Sequence, residues 1–142
     1  MKKKIIWLLS LAFAGFCLML LAKLPALGLD GPEFCGKCHV MDEQVDTYLH
    51  SAHRLGASCS DCHVPHSLVP GASYKAYTGT RDVLAVVTNT APAEIKVSGI
   101  GKKVIQDNCI RCHGGMVGEI GDTSKSGGSY CFDCHRSTPH SK

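Results

Sequence analysis

Four copies of Cys-x-x-Cys-His punctuate a chain of 142 residues: Cys35/Cys38/His39, Cys59/Cys62/His63, Cys109/Cys112/His113 and Cys131/Cys134/His135. They take up eight of the nine cysteines. A shuffled chain of the same composition would hold roughly 0.03 such motifs, so chance is excluded. In an exported chain, eight cysteines first suggest a disulfide framework. The spacing opposes it, because every cysteine has its neighbour two residues further along and every pair is followed by histidine. Two Cys-x-x-Cys pairs can also make a four-thiolate zinc site, but zinc gives no reason for a histidine after every second cysteine. Covalent c-type haem does: both thiols become thioethers on the porphyrin, and the adjacent imidazole reaches the iron.

Four haems also account for the composition. Only 6% of the residues are aromatic, and Cys35 to His135 spans 101 residues, which is little material for a core. The porphyrins must then supply most of the buried apolar surface, and the domain should not fold without them. The expected fold class is mainly α with much irregular structure, short helices and loops wrapped into a compact tetrahaem head. Motif starts at 35, 59, 109 and 131 give intervals of 24, 50 and 22. Short, long, short predicts two di-haem halves, a haem pair over 35–66 and another over 109–142, joined by a connector over 67–108. Phe34-Cys-Gly-Lys-Cys-His and Tyr130-Cys-Phe-Asp-Cys-His are alike across the halves, as an internal duplication would leave them. A net charge of +3 is too small to argue for a nucleic-acid surface.

Residues 1–29 predict a cytoplasmic basic start and a transmembrane anchor. Three lysines precede an uncharged stretch from Ile5 to Ala22 whose only clearly polar member is Ser10. Eighteen helical residues rise about 27 Å, close to the thickness of a bilayer core. A cleaved signal peptide also begins basic and turns apolar, but its apolar core is usually shorter and ends in a small-x-small site. No clean site stands around Lys23-Leu24-Pro25-Ala26, and bulky Phe16 weakens a lipid-attachment reading of Cys17. Lys2, Lys3 and Lys4 would stay in the cytoplasm, placing residues 30–142 on the extracytoplasmic side of the cell membrane.

Four irons offer eight axial positions. The motifs supply four histidines, and His50, His53, His66 and His140 remain. Four bis-histidine haems would be tidy, but Met41 stands two residues past His39, so a thioether is also within reach of the first iron. His66 lies too close to its own motif to reach a distal face easily, which leaves His53 and His140 as the better distal candidates.

The connector carries a second signal. In residues 70–90, Tyr74, Lys75, Tyr77, Arg81 and Asp82 precede the apolar run Val83 to Val87. On a helix Lys75 and Asp82 are seven apart, nearly on one face and about 10.5 Å apart along the axis. From the residues alone, an ordinary amphipathic helix with solvated charges is the favoured explanation. A cationic donor and a carboxylate beside a haem at the membrane interface would suit quinol oxidation, which needs a hydrogen bond to a ring oxygen and an acceptor for departing protons. Gly99 to Lys103 predicts a loop and helix start, and Gly114-Gly115 and Gly118 to Gly128 predict flexible surface loops.

With the N-terminal anchor, the phrases Phe34-Cys-Gly-Lys-Cys-His-Val-Met41, Ser51-Ala52-His53, Cys59-Ser-Asp-Cys-His-Val-Pro-His66, Tyr74-Lys75-Ala76, Thr80-Arg81-Asp82-Val83 and Cys131-Phe-Asp-Cys-His-Arg with a late His140 resemble the NapC/NirT family of membrane-anchored multihaem quinol dehydrogenases. The resemblance covers nearly the whole chain. It implies covalent haem c on Cys35, Cys38, Cys59, Cys62, Cys109, Cys112, Cys131 and Cys134. It implies Met41, not His39, on the first iron, with Asp82 at or beside the other face and Lys75 lining a menaquinol pocket. His63, His113 and His135 would bind the remaining irons. His53 would be distal on the fourth haem and His140 on the third, while the second would take its distal ligand from a partner protein. The stretch between His53 and Cys59 is one residue longer than the pattern expects, so His50 competes with His53.

The resemblance thus implies an electron relay between menaquinol in the membrane lipid and an extracytoplasmic multihaem reductase, with an ammonia-forming nitrite reductase favoured. The rivals are a carrier without a quinol site, serving another reductase, and a self-contained small reductase. The second needs a substrate cavity for which 142 residues leave little room.

Overall fold

A computed structural model describes residues 2–21 and 28–140. Every regular element among them is helical: α1 (Lys2–Leu21), α2 (Pro32–Cys35), α3 (Asp42–Leu49), α4 (Cys59–His63), α5 (Leu68–Val87), α6 (Gly99–Val117) and α7 (Cys131–Cys134), with single 3-10 turns at His39–Met41, Ala52–Leu55 and Lys125–Gly127. The mainly helical expectation agrees with this. Two helices are longer than expected. The connector folds as one twenty-residue helix, α5, and α6 runs straight through Gly114 and Gly115, which were expected in a loop. Glycine costs a helix only about 1 kcal/mol relative to alanine. Starting at a Ser98 cap, whose Oγ accepts from the Gly101 N–H at 3.1 Å, α6 has enough turns to absorb two of them.

The second and fourth motifs are each a single helical turn with the same built-in cap. In Cys59-Ser60-Asp61-Cys62, the Asp61 carboxylate accepts from the Ser58 N–H and Oγ–H, both at 2.8 Å. In Cys131-Phe132-Asp133-Cys134, the Asp133 carboxylate accepts from the Tyr130 N–H at 2.9 Å. An acid at the third helical position thus satisfies a donor the helix start leaves free. One turn of helix puts residues three apart on one face, so each pair of thiols faces the same way. The third motif obtains the same geometry inside α6. In the first, α2 ends at Cys35, and a turn through Gly36 and Lys37 leads to Cys38.

The most extensive packing between elements joins α4 to α6, which carry the second and third motifs, and α6 also packs on α7. The two halves read from motif spacing are therefore not separate packing units, because the second and third motifs join across the connector. α1 packs on α5. Among the described residues no helix is long and apolar enough to cross a membrane. The expected span runs on to Ala22, and residues 22–27 lie outside the described residues.

The apolar core is very small. Among the described residues only Tyr48, Val64 and Val104 are buried hydrophobic side chains, and the most deeply buried side chain is Gln106, 1% exposed. The chain exposes 10641 Å². A compact folded monomer of its mass would expose about 7,100 Å², and the protruding α1 accounts for part of the excess.

Candidate cofactor sites

All eight motif cysteines lie among the described residues, and none is in a disulfide. Their positions follow chain order. The Cys59 thiol donates a hydrogen bond to Cys35, joining the first motif to the second. That bond pulls the Cys35 pKa down to about 7 against the opposing effect of burial, with the Lys75 ammonium helping and Asp30 opposing. The same bond, with burial, pushes Cys59 up. Cys62 is raised by burial, with Asp61 and Cys112 adding to the effect. Burial pushes Cys109 up to about 11, reinforced by Cys131, Cys62 and Cys112. Neighbouring thiols thus connect the first motif to the second, the second to the third and the third to the fourth.

Two buried amides on α6, absent from the sequence expectations, hold three motifs in place. Asn108 donates from Nδ2 to the main-chain carbonyls of Cys62 at 2.9 Å and Val64 at 3.0 Å, fastening the second motif to the third. Gln106 accepts from the Cys131 N–H at 2.8 Å and donates to Asp122 at 2.9 Å, fastening the fourth. Ser124 and Gln106 hold the Asp122 carboxyl below the usual carboxylate range. Substituting Asn108→Leu should cost about 2–3 kcal/mol, because two buried carbonyls lose their donor. A lower urea midpoint of the cofactor-loaded protein, with a normal slope, checks this. An unchanged midpoint would show that the amide is dispensable.

Asp61 also faces the Arg111 guanidinium and the His66 ring. Burial works against its carboxylate, but hydrogen bonds from Ser58, with His66 and Arg111 nearby, outweigh that and hold its pKa below the usual value.

The imidazoles fall into two close pairs. His53 and His113 have ring centroids 6.0 Å apart, and His63 and His140 have theirs 6.1 Å apart. α3 and the turn after it bring His53 to the end of α6, and the chain end returns past α7 to α3, where His140 meets Thr47.

The other histidines are engaged elsewhere. His39 is fully exposed, with Nδ1 3.4 Å from Asp42, while Met41 two residues on is half-buried. His50 bonds the Asp46 carbonyl at 2.8 Å, and His66 bonds the Asp61 carbonyl at 3.1 Å. His135 is exposed.

Beside the first motif, Lys75 on α5 makes an ion pair with Asp30, whose carboxylate also accepts from Ser60 Oγ at 2.8 Å. Lys75 thereby stands between the first motif, where it acts on Cys35, and the second, which contains Ser60. Asp82 is largely exposed, 3.5 Å from its neighbour Arg81. Both residues belong to α5 as expected, but each is paired with a different residue. An open groove of about 440 Å³, lined by Tyr77, Thr80, Arg81 and Leu84, runs along the same helix. Asp30 was not anticipated, since nothing in its sequence neighbourhood marks it.

These features fit covalent haem. In the second, third and fourth motifs the thiol pair shares a helical face, and the described residues bury few apolar side chains. Among the described residues no three or more Cys, His, Asp or Glu side chains converge as a metal-ion site. The fold and site together define a small helical c-type cytochrome with several covalent haems.

Comparison with known proteins narrows the class. Residues 1–99 match the N-terminal region of the NapC/NirT cytochrome c family. The cytochrome c-type protein NrfH of Wolinella succinogenes is 33% identical over 122 residues, covering 78% of this chain and 69% of that protein. The cytochrome c nitrite reductase subunit NrfH of Nitratidesulfovibrio vulgaris is 36% identical over 112 residues, covering 78% and 68%. A chain in the crystal structure of the cytochrome c nitrite reductase NrfHA complex bound to the inhibitor HQNO superimposes with a TM-score of 0.71 at 33% identity, covering 94% of this chain and 90% of that one. The chain belongs to the NapC/NirT cytochrome c family.

Proposed function

We propose that this chain is the quinol-oxidising, electron-transferring subunit of a membrane-bound respiratory complex, with an ammonia-forming nitrite reductase as its partner. It would carry four haems c, one on each motif. The partner is inferred from the NrfH relatives and the NrfHA complex. The observation that carries the quinol reading is the position of Lys75: its ammonium lies beside the first motif, on the helix that packs against α1. Lys75 would donate a hydrogen bond to a quinol ring oxygen, and Asp82 on the same helix would take up a departing proton. The apolar groove along α5 would receive the ring and its tail.

Anchoring is supported by α1, where Ile5, Ile6, Trp7, Leu8, Leu9, Leu11, Phe13 and Phe16 are all more than half exposed. Side chains of that kind belong in lipid. With Lys2, Lys3 and Lys4 in the cytoplasm, the haem domain would lie on the extracytoplasmic side.

Bound haem supplies one-electron redox chemistry tuned by its axial ligands. Met41 would hold the first iron, and His63, His113 and His135 the others from their own motifs. His140 would be the distal ligand of the third and His53 of the fourth, while the second would take its distal ligand from the partner. The order of the thiols supports a path running from the first motif to the fourth.

Gentle detergent extraction of native membranes, followed by identification of what co-purifies, tests the reading. A multihaem nitrite reductase should accompany the chain, and the complex should reduce nitrite with a menaquinol analogue. Isolation of a complex with a different reductase, or with none, would contradict the assignment.

A further inference from the structure

Asp30 precedes the first motif, and it joins two other parts of the chain. Its Oδ1 takes the Lys75 ammonium of α5 as an ion pair and accepts from Ser60 Oγ at 2.8 Å. Ser60 lies inside the second motif, and its main-chain N–H also donates to the Asp30 carbonyl at 3.3 Å. Both the carboxylate and the backbone of Asp30 are therefore fastened to α4. An ion pair in full solvent orders its partners little. This one is partly withdrawn, with the side chains of Lys75 and Asp30 31% and 32% exposed, against 57% and 67% for the Arg81–Asp82 pair further along α5. An ammonium carries three N–H donors. One goes to Asp30, and Ser60 Oγ, 3.5 Å away, can take a second. A third remains for a quinol ring oxygen.

We propose that Asp30, itself held by Ser60, is a positioning residue of the quinol site, fixing the Lys75 ammonium beside the first motif so that its remaining N–H meets the ring oxygen. The inference rests on the quinol reading of Lys75 given above. Without the carboxylate, lysine keeps its charge but recovers the freedom of a four-carbon stem. Misplacing a reacting group by about 1 Å can cost about a hundredfold in rate. A free lysine still finds the oxygen part of the time, so the loss here is about tenfold.

The test measures haem reduction by a menaquinol analogue in Asp30→Asn, Lys75→Leu and the double variant, each full-length, haem-loaded and checked for haem content by pyridine haemochrome. Asp30→Asn should be about tenfold slower. The loss should fall on kcat and not on KM, because the ring oxygen gains negative charge as its proton leaves and the ammonium binds it more strongly then. In the Lys75→Leu background, Asp30→Asn should add no further loss. Redox titration supplies a second readout. Removing a negative charge beside the first motif disfavours the oxidised haem, so the midpoint potential should hold or rise. Should Asp30→Asn not mature, Ser60→Ala releases the carboxylate from the second motif and takes its place in the same cycle, with a loss of about threefold. If Lys75→Leu leaves quinol kinetics unchanged, the quinol reading fails and the proposal with it. If Lys75→Leu is slow but the Asp30 variant matches wild type, the reading stands and the role of Asp30 is overturned. A further tenfold loss in the double variant, or a potential lowered in step with the rate, overturns that role too.

Discussion

Made in cells that lack the haem-attachment machinery, the chain should be recovered as an unfolded polypeptide or lost to proteolysis. Its described residues bury only Tyr48, Val64 and Val104 as apolar side chains. Each contributes about 1.5–3 kcal/mol, far too little to order a chain that loses about 1–2 kcal/mol of backbone entropy per residue. The amides of Gln106 and Asn108 add direction, not driving force. Their hydrogen bonds exchange against bonds to water and contribute about 1 kcal/mol each at best. Burial of apolar porphyrin faces between motif helices is the remaining source of stability, as metal is for small metal-dependent domains. Far-UV circular dichroism and a urea titration of haem-free protein decide the matter. A flat titration with low helical signal is expected, and a cooperative transition in the haem-free chain would contradict it.

Replacing Lys75 with leucine should slow haem reduction by a menaquinol analogue about a hundredfold while leaving reduction by dithionite unchanged. The side chain is held by Asp30 and Ser60 at the first motif, so its ammonium is pre-positioned and not a freely solvated charge. Leucine removes the donor and also leaves the Asp30 carboxylate without its cation. Lys75→Arg keeps both the charge and N–H donors but shifts their position, so a variant that keeps haem content but remains slow points to the placement of the donor. Asp82→Asn should slow the same step through loss of a proton acceptor, because an amide cannot take up the departing proton. Unchanged quinol kinetics in both Lys75→Leu and Asp82→Asn would remove the quinol site from α5.

The covalent chemistry of this protein was legible in its sequence because it is local. In the second, third and fourth motifs Cys-x-x-Cys lies on helix, where that spacing puts both thiols on one face. The Asp61 and Asp133 caps were equally legible in principle, since both motifs read Cys-x-Asp-Cys-His, yet their role emerges only when the main-chain donors are followed. The neighbours of His53 and His140 could not be read this way, because they depend on where α3 and the chain end return in space. Gln106 and Asn108 escaped notice because a polar residue on a helix ordinarily faces water. Here α6 packs against the second and fourth motifs, so the amides are buried and must find partners. Asp30 was hidden for the same reason, its meaning given by Lys75 forty-five residues later.

The account depends on thioether-bound haem at every motif. Intact mass spectrometry of chain matured in a competent host, paired with a pyridine haemochrome assay on the same sample, measures this directly. Four covalently attached haems per chain are the predicted result. Fewer than four in fully matured protein, or zinc bound in their place, would contradict the account.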